Sequence, residues 1–174
     1  GGHPSAQEDR WLRAADCIRK AADYGLSHGV GIVLETHHNI VGTVESSIKF
    51  LRMVDRPNVG LNYDPSNIYD YLLDHPSLPQ RYGAEAVKAL KPWIFNVQLK
   101  NIVRTPDGKS RQVLLDEGLI DYGPIVDALK QVGYDGFLSA ECHYAPFWDG
   151  WIYRQNLESH EVAEHEYKEI KKLL

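Results

Sequence analysis

Four short apolar runs each end in an acid or amide side chain, and helix-like sequence separates one run from the next. The runs are Gly31-Ile32-Val33-Leu34-Glu35, Val59-Gly60-Leu61-Asn62-Tyr63-Asp64, Ile94-Phe95-Asn96-Val97-Gln98 and Phe137-Leu138-Ser139-Ala140-Glu141. Successive polar ends lie roughly 30 to 43 residues apart, and about 30 residues or more is the length of a βαβ unit. This alternation predicts an α/β fold, a parallel sheet covered by helices. Parallel strands joined in this way end on the same side of the sheet. In a (β/α) barrel their four polar ends converge at the C-terminal face. Three carboxylates and an amide oxygen are hard ligands suited to Mn²⁺ or Mg²⁺. Glu35, Asp64, Gln98 and Glu141 are therefore the expected metal ligands.

A chain of 174 residues suits one domain, taken as residues 1–174, and is long enough to bury a real core. Its net charge of −5, with no basic cluster, argues against a nucleic-acid partner. The two cysteines, Cys17 and Cys142, are far apart and in no Cys-x-x-Cys spacing. A structural role for both and a reducing, cytoplasmic location are expected. No apolar run reaches the length of a membrane span. The opening Gly1-Gly2-His3-Pro4 has neither the pattern of a signal peptide nor an initiator Met.

Periodicity places the helices between these runs. Trp11, Leu12, Ala15, Ile18, Ala22 and Leu26 recur at three- and four-residue steps, predicting a helix over 6–28. Thr43 is placed to cap a helix over 44–54, with Val44, Ile48, Leu51 and Met53 inward. Pro65, Pro76, Pro79 and Gly83 make 65–83 a long irregular loop with one short helix at 67–73. Helices are expected at 84–90, 123–132 and 156–174, and strands at 30–36, 58–64, 94–100 and 136–142. Residues 101–122 read as a long polar loop around the Pro106-Asp107-Gly108 turn, a length usually reserved for function. Tyr144, Phe147, Trp148, Trp151 and Tyr153 suit loop packing or a subunit contact better than a sugar platform.

With these residues in order, the chain resembles the xylose isomerase-like TIM-barrel superfamily of sugar-phosphate isomerases and epimerases. Members usually end strand five with Leu-Glu-x-His, read here as Leu34-Glu35-Thr36-His37. Asp-x-x-His at strand six is Asp64-Pro65-Ser66-Asn67 here, and His-Leu-Lys-Asp at strand seven is Gln98-Leu99-Lys100-Asn101. An Ile-Asp segment, a helix, and Gly-Tyr-Asp-Gly before a strand ending in Glu match Ile120-Asp121, Gly133-Tyr134-Asp135-Gly136 and Glu141. Gly1-Gly2 resembles the end of strand four. The resemblance covers nearly the whole chain and implies the C-terminal half, strands five to eight, of an eight-stranded parallel barrel. Three positions depart from the family pattern: Gln98 and Asn67 stand where relatives carry His, and Asn101 where they carry Asp.

The resemblance implies a divalent-metal-dependent isomerase or epimerase acting on a sugar, sugar phosphate or similar polyol. Glu35 and Glu141 would remove and return a proton beside a carbonyl that the metal polarises. His37, Asn67 and Lys100 would face substrate. His37 and His38 are adjacent, so only one readily faces the site, and His37 matches the motif. For Gln98 the competing reading is a hydrogen-bonding spectator, and for Lys100 a side chain that simply lies along the surface. His143, His160 and His165 read as surface residues. The same metal and base would equally serve a lyase such as a 3-dehydroshikimate dehydratase, and a non-catalytic half-barrel is the remaining alternative. An open parallel sheet leaves its edges unpaired. Self-association or a missing N-terminal half-barrel is therefore expected, with the 6–28 helix outside the open edge at 30–36.

Overall fold

A computed structural model of the chain describes residues 8–142 and 158–174. In order, the elements are α1 (Glu8–Leu26), β1 (Ile32–Glu35), α2 (Val44–Val54), β2 (Val59–Tyr63), α3 (Pro65–Leu73) and α4 (Ala84–Leu90). A single 3₁₀ turn (Lys91–Trp93) leads into β3 (Ile94–Leu99). The chain continues with β4 (Asn101–Arg104), β5 (Ser110–Val113), α5 (Gly123–Gln131), β6 (Leu138–Ala140) and α6 (Ser159–Leu173). The aromatic run from Tyr144 to Tyr153, and with it His143, lies outside the described residues.

Local chemistry explains where the helices start. The Ser46 N–H donates to Thr43 Oγ1 at 3.1 Å and the Thr43 N–H to Ser46 Oγ at 3.0 Å, a reciprocal cap at the head of α2. Asp64 caps α3, accepting from the Asn67 N–H at 3.0 Å, with Pro65 in the first turn where its missing N–H costs nothing. In α1 only one stripe is buried, Trp11, Ala15, Ala22 and Gly25. Leu12 and Leu26, expected inward, are exposed because the helix packs through a single narrow face.

Strands β1, β2, β3 and β6 form one parallel sheet in that order, and among the described residues β1 pairs only with β2. The architecture is α/β and TIM-barrel-like. One face of the sheet carries Val59, Leu61, Tyr63, Val97 and Leu99, all buried in a core with Val44, Phe50, Val87, Leu90, Ile125 and Leu129 from the helices. The register pairs Glu35 with Asn62, Asn62 with Asn96, and Gln98 with Ser139, which puts their side chains together on the opposite face. Lower on that face Val33, Phe95 and Phe137 are 49%, 39% and 81% exposed. The Phe95 ring lies where a Cβ on Gly60 would be, so residue 60 admits only glycine without a shift of that ring.

Residues 101–122 differ from the sequence expectation. They contain an antiparallel hairpin, β4 paired with β5 from Asn101↔Val113 to Arg104↔Ser110. The Thr105 N–H donates to Lys109 O at 2.9 Å across a turn in which Gly108 has φ 77°. Two four-residue strands rich in Arg, Ser and Gln show no apolar alternation, which is why the pattern is invisible in the sequence. Asn101 is buried and organises the return. Its Nδ2 donates to Leu115 O and Ile120 O at 2.7 and 2.8 Å, and its Oδ1 accepts from the Ile102 and Ile120 N–H groups. A Cβ on Gly118 would collide with this side chain.

Helix α6 carries a buried acid, Glu166, only 5% exposed, whose Oε2 accepts from the Leu115 N–H at 3.2 Å. Burial lifts its carboxyl from 4.5 to about 7, more than this hydrogen bond and His165 lower it. The folded state thus binds a proton that the unfolded state has already released, and stability falls as pH rises from 4.5 towards 7. Glu166→Gln keeps an acceptor for Leu115 and removes the charge. It is expected to add about 2–3 kcal/mol at pH 8 and little at pH 4, read by urea unfolding at the two pH values.

Candidate metal centre

The four polar strand ends meet at the C-terminal edge of the sheet. Glu35 is the last residue of β1, Asp64 directly follows β2, Gln98 is the penultimate residue of β3, and Glu141 follows β6 with its N–H donating to Leu99 O at 2.9 Å. One carboxylate oxygen each from Glu35, Asp64 and Glu141 lies within 4.8 Å of the others. Gln98 Nε2 reaches Glu141 Oε2 at 2.6 Å and Glu35 Oε1 at 3.4 Å. The convergence expected from strand length and spacing is therefore present for all four side chains.

Each ligand candidate is held from behind. Thr36, fully buried, ties the ends of β1 and β2 together: its Oγ1 accepts from the Asp64 N–H at 2.7 Å and donates to Asp64 O at 3.1 Å. Asn67 Nδ2 donates to Glu35 Oε1 at 3.1 Å and to Thr36 O at 2.9 Å. Gln112 on β5 donates to Glu141 O at 2.6 Å, which fastens the hairpin to the end of β6. The Tyr122 hydroxyl donates to Lys100 O at 2.5 Å. Thr36, Gln112 and Tyr122 carry no sequence signal, because each acts through a partner distant in the chain.

Lys100 completes the cluster. Only 10% of its side chain is exposed, and its ammonium sits 3.1 Å from Asp64 Oδ2 and against Glu141 Oε2. Burial pulls the ammonium pKa down, but Asp64 and Glu141 outweigh it and hold the group above 10.5, charged at neutral pH. Asp64 is the opposite case. Burial pushes its carboxyl up from 3.8 to about 6, with Lys100 and the Asn67 N–H opposing. Its Oδ2 is buried and accepts no well-formed hydrogen bond, leaving the Lys100 ammonium as its ion-pair partner. A buried carboxylate oxygen that has an ammonium for its partner and other carboxylates around it is a donor that a hard dication satisfies, and with bonds of about 2.1 Å opposite ligands are about 4.2 Å apart. The donor set thus fits Mg²⁺ or Mn²⁺.

The His37 and His38 rings lie 5.3 Å apart, because both residues sit in the bend that follows β1 and not on an extended strand, yet they meet different neighbours. His38 Nε2 is 3.3 Å from Asp70 Oδ2, and its ring meets Tyr71 on α3. His37 lines a cleft of about 490 Å³ beside Glu35, walled by Val33, Leu34, Ile40, Val41 and Phe50. Burial first, and then the neighbouring His38, lower its pKa below 6.5, so its imidazole is neutral at pH 7. A second cluster, Asp116, His165 and Glu169, lies away from this edge, with His165 Nε2 2.8 Å from Asp116 Oδ1 and Lys172 Nζ 2.5 Å from Glu169 Oε1. There the Lys172 ammonium already neutralises Glu169. Among the cysteines, Cys17 is exposed, which does not fit a buried structural role.

The sequence model of the family described as Xylose isomerase-like TIM barrel matches residues 1–173. A 3-dehydroshikimate dehydratase from Bacillus anthracis is 27% identical over 139 residues, 71% of this chain and 46% of that protein. An L-ribulose 3-epimerase from Methylomonas sp. strain DH-1 is 27% identical over 142 residues, 79% of this chain and 44% of that protein. Among solved structures, a D-allulose 3-epimerase from Methylomonas sp. superposes with a TM-score of 0.77 at 22% identity, covering 100% of this chain and 59% of that one. The chain spans about half the length of the curated relatives it matches.

Proposed function

Because the chain belongs to the xylose isomerase-like TIM-barrel family, we propose that it is the C-terminal half, strands five to eight, of a divalent-metal-dependent sugar isomerase or epimerase, folded as one domain over 1–174. The observation that carries this reading is the placement of Glu35 and Glu141 around one Gln98 amide, beside the buried Asp64 carboxylate. Glu35, Asp64, Gln98 and Glu141 are the proposed ligands, and solved structures similar to this chain hold magnesium in one case and zinc in another. Hard oxygen donors favour Mg²⁺ or Mn²⁺ here. When bound, such an ion polarises a substrate carbonyl and acidifies the neighbouring C–H.

The protein's own groups do the rest. One of the carboxylates of Glu35 and Glu141 takes the proton beside the carbonyl, and the other returns it, on the same or the opposite face. Asn67 fixes the Glu35 carboxylate through its 3.1 Å bond, so the base is aimed before substrate arrives. The Lys100 ammonium stabilises the negative charge that develops on the substrate oxygen. Neutral His37, on the wall of the adjoining cleft, offers both a donor and an acceptor to a sugar hydroxyl.

A lyase is the second reading, favoured by the 27% identity to a 3-dehydroshikimate dehydratase. It shares the proton abstraction and differs in expelling water. Mn²⁺-loaded protein incubated in D₂O with D-allulose, and separately with 3-dehydroshikimate, separates the two. Deuterium entering the ketose supports the isomerase reading, and a product lighter by one water supports the lyase. Neither change, with metal demonstrably bound, would leave a non-catalytic half-barrel.

Lys100 gives a further expectation. Its ammonium occupies the space between Asp64 and Glu141 that a dication would neutralise. Lys100→Met removes that competitor and should tighten Mn²⁺ binding about tenfold by calorimetry, while lowering turnover about 100-fold through lost charge stabilisation. Unchanged affinity would mean that the metal binds elsewhere.

A further inference from the structure

The middle of the exposed sheet face carries amides where a barrel interior ordinarily has branched apolar side chains. They form a single file of hydrogen bonds with one polarity. Ser139 Oγ donates to Asn96 Oδ1 at 3.3 Å, Asn96 Nδ2 to Asn62 Oδ1 at 2.7 Å, Asn62 Nδ2 to Gln98 Oε1, and Gln98 Nε2 to Glu141 and Glu35. The file crosses β6, β3 and β2, returns to β3, and ends on two candidate ligands. In this polarity Gln98 turns its NH₂ towards the carboxylates, an orientation in which it cannot ligate a cation.

From this file we infer that Asn62 and Asn96 are positioning residues that switch Gln98 between two roles. Without a cation, Gln98 donates to Glu35 and Glu141 and, with Lys100, offsets their repulsion. With a cation, Gln98 turns over to present Oε1. Its Nε2 would then face Asn62 Nδ2, donor against donor, an arrangement that leaves polar groups unpaired at about 1–3 kcal/mol each. Asn62 must turn, and Asn96 after it. The reversed file ends without loss at Ser139, since a hydroxyl accepts as readily as it donates. Both polarities keep the three hydrogen bonds that link Ser139, Asn96, Asn62 and Gln98, the two that Gln98 gives the carboxylates are exchanged for ligation of the cation, and no side chain leaves its place. An imidazole at position 98 would need no such file, because nitrogen ligation does not require an amide to reverse.

The inference rests on the metal reading of the site, and a double-mutant cycle tests it separately. Asp at position 62 only accepts, so Asn62→Asp forces Gln98 to donate inward and leaves Oε1 facing the cation. Calorimetry should show Mn²⁺ binding tightened about tenfold by Asn62→Asp in the protein that keeps Gln98. In a Gln98→Leu background the gain should shrink to the roughly two- to threefold that added charge provides. Equal gains in both backgrounds would overturn the inference. A second measurement uses the unaltered chain, so that a folding defect in a variant decides nothing. Titration with diamagnetic Mg²⁺ should move the side-chain NH₂ signals of Asn62, Asn96 and Gln98 along one isotherm. Movement of Gln98 alone would overturn the switch while leaving the metal site intact. No binding of either ion would overturn both readings.

Discussion

Glu141→Gln is expected to lower turnover by about 10²- to 10⁴-fold, the range general-base catalysis supplies. It should also weaken Mn²⁺ binding by about 10- to 100-fold. The reason is local. Glu141 Oε2 receives both the Lys100 ammonium and the Gln98 amide, so its charge organises the two donors that line the site. An amide at 141 has no charge to hold Lys100 and turns NH₂ groups towards other donors. Glu35→Gln should fall in the same range, since Glu35 Oε1 accepts from Asn67 and Gln98 in the same way. Glu164→Gln is the control. Glu164 is exposed on α6 and pairs with Lys168 at 2.7 Å, so its loss should leave turnover and metal affinity unchanged. The Glu141 carboxylate is partly exposed, and the thermal unfolding midpoint should move little. Full activity in Glu141→Gln would remove the proposed base and with it the proton-transfer reading.

The outline of the fold was legible because period-two and period-3.6 patterns are strong here. Residues 44–54 and 84–90 form helices at the bounds their periodicity predicts, and the four strand ends converge as the βα spacing requires. What stayed hidden follows from two physical causes. The β4–β5 hairpin is short and polar, so its strands lack the apolar alternation that marks a half-buried strand, and a turn signal alone resembles a loop. The supporting shell of the site is long-range. Thr36 meets Asp64, and Gln112 meets Glu141, only because the sheet brings them together. Sequence spacing ranks a residue by its own type, so it finds Glu35 and Asp64 and passes over Asn62 and Asn96. Asn62 and Asn96 each interrupt an apolar run, and that interruption is the one signal that marks the amide file. Asn67 keeps a place at the site through its bonds to Glu35 and Thr36, whereas Asn101 turns into the hairpin and takes no part.

The second large effect concerns the uncovered sheet face. Helices bury one side of the sheet, while Phe137, Val33 and Phe95 leave apolar surface open on the other. Burying a side chain such as Phe contributes about 1.5–3 kcal/mol, so this surface is costly to leave in water. On the half-barrel proposal, the covering is four further βα units. The face is the one that carries the ligand candidates, β1 ends the sheet with an unpaired edge among the described residues, and the similar epimerase structure is nearly twice as long. The 174-residue chain by itself should then sediment well above its 19.8 kDa, because two copies cover each other's open faces when nothing else does. Phe95→Asp combined with Phe137→Asp places charges in that contact and should return it to the monomer mass. A longer chain carrying the four additional units should be a monomer at the same concentration, with Phe95 and Phe137 protected from solvent. If the 174-residue chain is instead monomeric at high concentration, and the aspartate substitutions change neither its mass nor its stability, the exposed face is satisfied within the chain itself and the half-barrel proposal fails.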